Sequence, residues 1–152
     1  MHMKCTLFYG TLSGSTMTAA GIVSEVLTAA GHQVDTIMVD GASKDQIKDC
    51  GVVILGSPSW EDEGKDGQPL PDMTKFLKSL STEDLQGKKV AIFGLGDTSY
   101  QHFCGAVDVM QQLLSTLQVT PVVESLRIDR YYSLPDNEKK AREWADALAK
   151  AI

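Results

Sequence analysis

Cys5 Thr6 Leu7 Phe8 Tyr9 Gly10 Thr11 Leu12 Ser13 Gly14 Ser15 Thr16 runs an apolar segment straight into a loop of hydroxyls and glycines that holds no lysine. A strand that empties into small residues and then opens a helix gathers backbone N–H groups and the positive end of the helix dipole around one point. Thr11, Ser13, Ser15 and Thr16 add hydroxyl donors to that ring, so the loop suits a phosphate monoester. The alternative is that these serines and threonines only cap the helix that follows, a common use of them there. A nucleoside triphosphate site calls for GxxxxGK[ST], and no lysine stands between Lys4 and Lys44. GxGxxG, the dinucleotide signature, is also missing after this strand. ATP and dinucleotides are both disfavoured.

Further apolar runs lie at 33–39, with Val34, Ile37 and Val39, at 51–56, at 89–95 and around 119–128. Several are short and nearly continuous, as expected of strands covered on both faces. Helical stripes fall between them. Ile22, Val23, Val26, Leu27 and Ala30 make one, closed by Gly31; Val107, Met110, Leu113, Leu114 and Leu117 make another. A last helix is expected to start between Ser133 and Asp136, with Pro135 in its first turn and Ala141, Trp144, Ala145, Leu148 and Ile152 inward. Shorter helices are expected at 45–48 and 73–80. Five strands alternating with helices predict an α/β domain over 1–152: a parallel sheet with helices on both faces, joined by right-handed crossovers.

The chain has 152 residues, enough for one domain with a core that needs neither disulfides nor metals. Cys5, Cys50 and Cys104 are an odd number with no CxxC pair, which argues against a disulfide framework and a structural zinc site. Fourteen Lys and Arg stand against twenty Asp and Glu, a formal charge of −6. Nucleic acid is an unsuitable partner for such a surface; the charge either steers encounters with basic protein surfaces or only keeps the protein soluble, and charge alone does not choose between them. No apolar stretch reaches the ~18 residues a membrane span needs, and the start lacks a signal-peptide pattern, so the expected compartment is the cytoplasm.

In parallel sheets ligands bind beyond the carboxyl ends of the strands, where the strand order reverses. Strands one, three and four each end in a small or polar loop: Gly10 to Thr16, Gly56 to Glu61, and Gly94 to Gly105. Strand two ends in an ordinary turn, Asp40 Gly41. The second loop, Gly56 Ser57 Pro58 Ser59 Trp60 Glu61 Asp62 Glu63, sets a tryptophan among carboxylates. Trp60 either covers a flat apolar ligand or folds back over a helix face. The third, Gly94 Leu95 Gly96 Asp97 Thr98 Ser99 Tyr100 Gln101 His102 Phe103 Cys104 Gly105, brings Tyr100 and Asp97. Two aromatics on neighbouring loops can sandwich a planar ring, and the glycines let backbone amides reach its polar edge.

These loops resemble those of the flavodoxins, the small FMN-binding electron carriers. TLSGST is similar to their (S/T)xTGxT phosphate loop, GSPSW to their tryptophan loop and GLGDTSYQHFCGAVD to their tyrosine loop. The likeness covers nearly the whole chain, and a fifth strand without a long inserted loop resembles the short-chain members. It implies a three-layer sandwich with strand order 2-1-3-4-5, and FMN as cofactor. It also implies a low-potential one-electron carrier working between redox enzymes through the semiquinone and hydroquinone couple of the flavin, without substrate turnover.

By the same resemblance, Thr11, Leu12, Ser13, Gly14, Ser15 and Thr16 hold the phosphate. Ser57, Pro58, Ser59, Trp60 and Glu61 form the loop on the inner ring face, and Tyr100 covers the outer face. Leu95, Gly96, Asp97 and Cys104 address the pyrimidine edge, while His102 and Phe103 flank the ribityl and dimethylbenzene side. His102 is equally well read as a solvated loop residue, and Cys104 as packing.

Where the family often has glycine after the tryptophan, this chain has Glu61. A peptide that flips to positive φ to bond flavin N5–H is resisted by any residue other than glycine, by about 1 kcal/mol. A smaller stabilisation of the semiquinone is expected. Leu12 and Pro58 also replace more polar residues. The acidic residues near the ring make a second negative charge on it costly, and partners are expected to be reductases and acceptors with basic docking surfaces, met by a monomer. A receiver domain is disfavoured because Cys5 to Gly10 supplies no carboxylate cluster. Flavodoxin-like NAD(P)H quinone reductases share the fold, but Tyr100 over the ring would obstruct a nicotinamide. The FMN domains of larger diflavin reductases are also similar; since nothing follows Ile152, a separate carrier is the expectation.

Overall fold

Residues 2–12, 14–96, 103–130 and 136–152 are described in a computed structural model. The strands are β1 (Lys4–Tyr9), β2 (Gln33–Met38), β3 (Val52–Pro58), β4 (Trp60–Asp62), β5 (Lys65–Gln68), β6 (Lys89–Gly96) and β7 (Leu126–Asp129). The helices are α1 (Ser15–Ala29), α2 (Pro71–Lys78), α3 (Thr82–Leu85), α4 (Gly105–Thr116) and α5 (Asn137–Ala151), with a 3₁₀ turn at Lys44–Ile47. β2, β1, β3, β6 and β7 form one sheet in that order, every pairing parallel. Counting only these five strands, the order is the expected 2-1-3-4-5.

Burial explains the sequence pattern. β1, β3 and β6 are buried along almost their whole lengths, because helices cover both faces. One core lies under α1 and α5, where Phe93 meets Trp144 at 5.9 Å between ring centroids. The other lies under α2 and α4, where Phe8 and Phe76 rings sit 4.6 Å apart. Gly31, at φ 95, ends α1 by taking the left-handed conformation that glycine alone adopts cheaply.

Several elements differ from expectation. β2 is an edge strand whose most covered side chains, Val34 and Ile37, are only half-buried. It has one neighbour, so half of its backbone and much of its side-chain surface face water. The fifth strand is Leu126–Asp129, not 119–128: the sheet pairs β7 only from Phe93 onward, and Val122 N–H contributes one isolated bond to Val90 O at 2.8 Å. α3 went unread, although Ser81 and Asp84 form a reciprocal capping box at its start. α5 begins at Asn137 with Asp136 as its N-cap; Pro135 lies outside the described residues. His32 is buried, and its Nδ1 accepts the Met3 N–H at 3.1 Å.

The largest departure follows Pro58. The loop read as irregular is an antiparallel hairpin, β4 with β5. Its two-residue turn is Glu63-Gly64, with φ of 50° and 77°. Both central residues lie in the left-handed region, as a type I′ turn requires. Pairing shifts by one residue between Trp60↔Gln68 and Asp62↔Lys65, and Gly67, at φ 72, takes up the extra residue as a bulge.

Candidate functional site

β1, β3 and β6 deliver their loops to one edge of the sheet, on either side of the point where the order reverses between β1 and β3. Backbone bonds tie the loops to one another. Gly10 N–H donates to Gly56 O at 3.0 Å, and Ser59 N–H to Leu95 O at 2.8 Å.

The first loop wraps the N-terminus of α1. Gly14 is the N-cap, at φ 91, and no side chain caps the helix there; its first turn holds no acidic residue. Gly14 N–H instead donates to Thr11 Oγ1 at 2.8 Å, which folds the loop over the helix start. Thr16 is 1% exposed, and its Oγ1 has no hydrogen-bond partner among the described residues. A helix of fifteen residues whose N-cap is a glycine without a capping side chain, and a buried hydroxyl with no partner among the described residues, leave room for an acceptor. A phosphate supplies one. Leu12 stands outward, 63% exposed, and Ser15 is half-buried; Ser13 lies outside the described residues.

The second loop presents Trp60 at the start of β4, 39% exposed and in neither core. Glu61 and Glu63 are exposed, and Asp62 and Asp66 half-buried, so the hairpin rims Trp60 with carboxylates. Ser57 and Ser59 turn inward. Ser57 is fully buried, its hydroxyl donating to Pro58 O at 2.8 Å and accepting Leu70 N–H at 3.1 Å. Ser59 Oγ accepts Ala106 N–H at 2.9 Å. Pro58 is half-buried at the end of β3.

Of the third loop, Leu95 is buried and Gly96 half-buried at the end of β6. Asp97, Tyr100 and His102 lie outside the described residues, while Phe103 is half-buried against the α2 and α4 core. Cys104 is fully buried, its Sγ 3.7 Å from Gly94 O and 3.6 Å from Ile128 O. Burial pushes its thiol pKa up to about 12 against the opposing pull of Arg127, so the sulfur is a packing atom and not a thiolate. Gly96 and Cys104 touch: a Cβ on Gly96 would lie 2.7 Å from Cys104 N. Among the described residues no group of His, Cys, Asp and Glu could hold a metal.

The sequence reading missed four contributors here. Arg127 and Asp108 pair at 2.6 Å beside Cys104; Arg130 N–H donates to Gly96 O at 2.8 Å; and Gly67 abuts Gly105, where a Cβ would lie 2.6 Å from Gly67 O. Outside these four, the Glu63-Gly64 turn carried a local signal, since glycine in a short polar gap marks a hairpin turn. The four are brought to the site by the crossovers.

A lysine-free helix N-terminus, an exposed tryptophan and a hairpin of carboxylates thus share one edge of the sheet. The flavodoxin family model matches residues 7–144. A flavodoxin of Maridesulfovibrio salexigens is 35% identical over 130 residues, 83% of this chain and 86% of that one. The sulfite reductase [NADPH] flavoprotein alpha-component of Photobacterium profundum is 33% identical over 150 residues, 97% of this chain but 24% of that protein. The crystal structure of oxidised flavodoxin 2 from Bacillus cereus superposes with a TM-score of 0.85 at 30% identity, covering 98% of this chain and 99% of that one. The chain belongs to the flavodoxin family, whose members bind FMN and carry electrons.

Proposed function

We propose that this chain holds FMN at the three-loop edge and relays single electrons between other redox proteins at low potential, turning over no substrate of its own. The observation that carries the reading is a glycine-capped, lysine-free helix N-terminus on the same strand edge as an exposed tryptophan. FMN supplies a ring that takes up and releases electrons one at a time. Thr11, Leu12, Ser13, Gly14, Ser15 and Thr16 hold its phosphate with amides and hydroxyls, so dipoles and not a cation balance the charge. Trp60 lies against one ring face and Tyr100 against the other. The backbone of Leu95, Gly96, Asp97 and Cys104 meets the polar edge of the ring, and His102 and Phe103 flank its apolar side. Ser57 and Ser59 support the Trp60 hairpin from beneath.

Glu61, Asp62, Glu63 and Asp66 keep negative charge beside the ring, which resists a further electron and lowers the second potential. The same rim suits partners with basic docking surfaces, whose association slows as salt screens it. The purified protein is expected to be yellow and to stay oxidised when NADPH is added alone; rapid reduction would place it with the reductases. The match to a quarter of a sulfite reductase component favours a second reading, the FMN-binding segment of a larger two-flavin enzyme. A native polypeptide of the mass of the 152-residue chain favours the carrier, and one several times heavier the enzyme.

A further inference from the structure

Arg127 stands opposite Gly94 in the parallel register of β7 and β6. Residues paired this way share a sheet face. A Cβ on Gly94 would lie 2.4 Å from Val107 Cγ2, so that face is the one packed by α4. Arg127 therefore leaves the sheet over a strip that glycine keeps bare, and its guanidinium reaches the start of α4. Nη1 donates to Cys104 O at 3.2 Å, and Nη2 to Asp108 Oδ1 at 2.6 Å. The Arg127 side chain is two-thirds covered.

The group it grips is an unusual one. Cys104 has φ 50 and ψ 35, a left-handed conformation that residues with a Cβ resist, and it has no side chain able to cap α4. Its carbonyl accepts Val107 N–H at 2.9 Å as well as the guanidinium. Its amide side presses on Gly96, the last residue of β6. Gly96 and Cys104 are thus the two ends of the third loop closed on each other. The guanidinium, spread between a carbonyl and a carboxylate on successive turns, holds that closure by a two-point fork that lysine lacks.

We propose that Arg127, oriented by Asp108, is a positioning residue for the ring end of the FMN site. It holds Cys104 in the left-handed conformation that closes it on Gly96, two residues whose backbone is assigned above to the ring edge, and it leaves the phosphate end untouched. Asp108 has a second effect: it neutralises the Arg127 guanidinium held against Cys104, a cation that would otherwise favour a more negative ring. The inference rests on the FMN reading given above.

The test compares FMN with riboflavin, which keeps the ring and lacks the phosphate. Apoprotein is titrated with each ligand for the wild type, Arg127→Met, Arg127→Lys and Asp108→Asn, and the second one-electron potential is measured on the FMN-loaded forms. Arg127→Met is expected to weaken both ligands by the same factor, about tenfold, as the loss of charge-assisted bonds implies. Arg127→Lys is expected to fall between it and the wild type. Asp108→Asn is expected to make the second potential less negative. A purely structural role would lower the urea midpoint of the apoprotein while leaving riboflavin affinity and the potential unmoved, and that result overturns the proposal. So does an Arg127→Met variant that loses FMN but not riboflavin. If Arg127→Met does not fold, the Lys and Asn variants decide the matter alone. A wild-type chain that binds neither ligand overturns the FMN reading itself.

Discussion

Ser59 Oγ accepts the N–H of Ala106 at 2.9 Å, so the N-terminus of α4 is capped by a side chain forty-seven residues earlier in the chain. Cys104, the local N-cap, offers no side-chain bond. The tryptophan hairpin is therefore tied to the start of α4. Ser59 N–H on Leu95 O and the contact of Gly67 with Gly105 close the same joint from two other sides.

Ser59→Ala removes the cap. Loss of an N-cap hydroxyl costs about 1 kcal/mol. Urea unfolding of the apoprotein is expected to show that loss, and riboflavin affinity to fall with it because the Trp60 hairpin is no longer tied to the start of α4. An unchanged midpoint would show that water caps α4 as well as Ser59 does.

Thr16→Val tests the phosphate cradle. A buried hydroxyl without a partner costs roughly 1–3 kcal/mol, so the apoprotein should be as stable as the wild type or more so. FMN should bind at least tenfold more weakly, about 1.4 kcal/mol, and riboflavin equally well. Equal losses for both ligands would mean that Thr16 packs against the ring end.

Glu61→Gly bears on the first of the two electrons. Glu61 sits in β4 with no positive φ, and a peptide flip beside it would force one on a residue with a Cβ. Relief of about 1 kcal/mol corresponds to roughly 40 mV for one electron, so the first potential should rise by about that amount. Redox titration in the presence of dyes reads it directly. No change in the first potential would mean that no flip takes place.

Gly56→Ala should fail for want of room. Its Cβ would lie 2.1 Å from Phe93 Cζ, and Phe93 is fully buried. Overpacking of this kind costs about 1–3 kcal/mol, and Phe93→Leu in the same chain should restore part of it. The comparison of denaturation midpoints for the single and double variants is decisive.

High pH should unfold the protein through its thiols. Burial raises Cys104 from the ordinary 9.0 to about 12, and burial followed by the charge of Cys50 raises Cys5 to about 11. In both, the folded state favours the neutral form over the unfolded one. Their contribution is fully present below pH 9 and is lost as the pH rises through 11 and 12. Urea midpoints taken from pH 8 upward should fall beyond 9, and less steeply in Cys104→Ala. Alkylation of folded Cys104 at pH 8 would contradict the burial that underlies this.

Three of the five main strands and all of the long helices follow closely from local pattern, while the order of the sheet came with the family resemblance. β1, β3 and β6 carry unbroken apolar runs because both of their faces are covered, and α1, α4 and α5 carry stripes at the helical period. The proposed phosphate loop is a local feature too, since its hydroxyls and glycines are consecutive in sequence and lead into one helix, α1. Strand five was harder, since pairing with β6 and not hydrophobicity decided where it starts. The hairpin under Trp60 was hidden because its strands are short and polar on both sides, and its identity lies in two positive φ angles and a bulge.

The sequence by itself determined which residue types stand at these strand ends: a loop of hydroxyls and glycines without lysine, and a tryptophan among carboxylates. Those properties reside in neighbouring residues and survive any arrangement of the rest. Only the tertiary structure decided how the loops are held. Ser59 meets Ala106, Arg127 meets Cys104 and Asp108, and Gly67 meets Gly105 across gaps of many residues. Such contacts are created when right-handed crossovers bring separate strand ends to one edge, and no local periodicity records which side chains will then face each other.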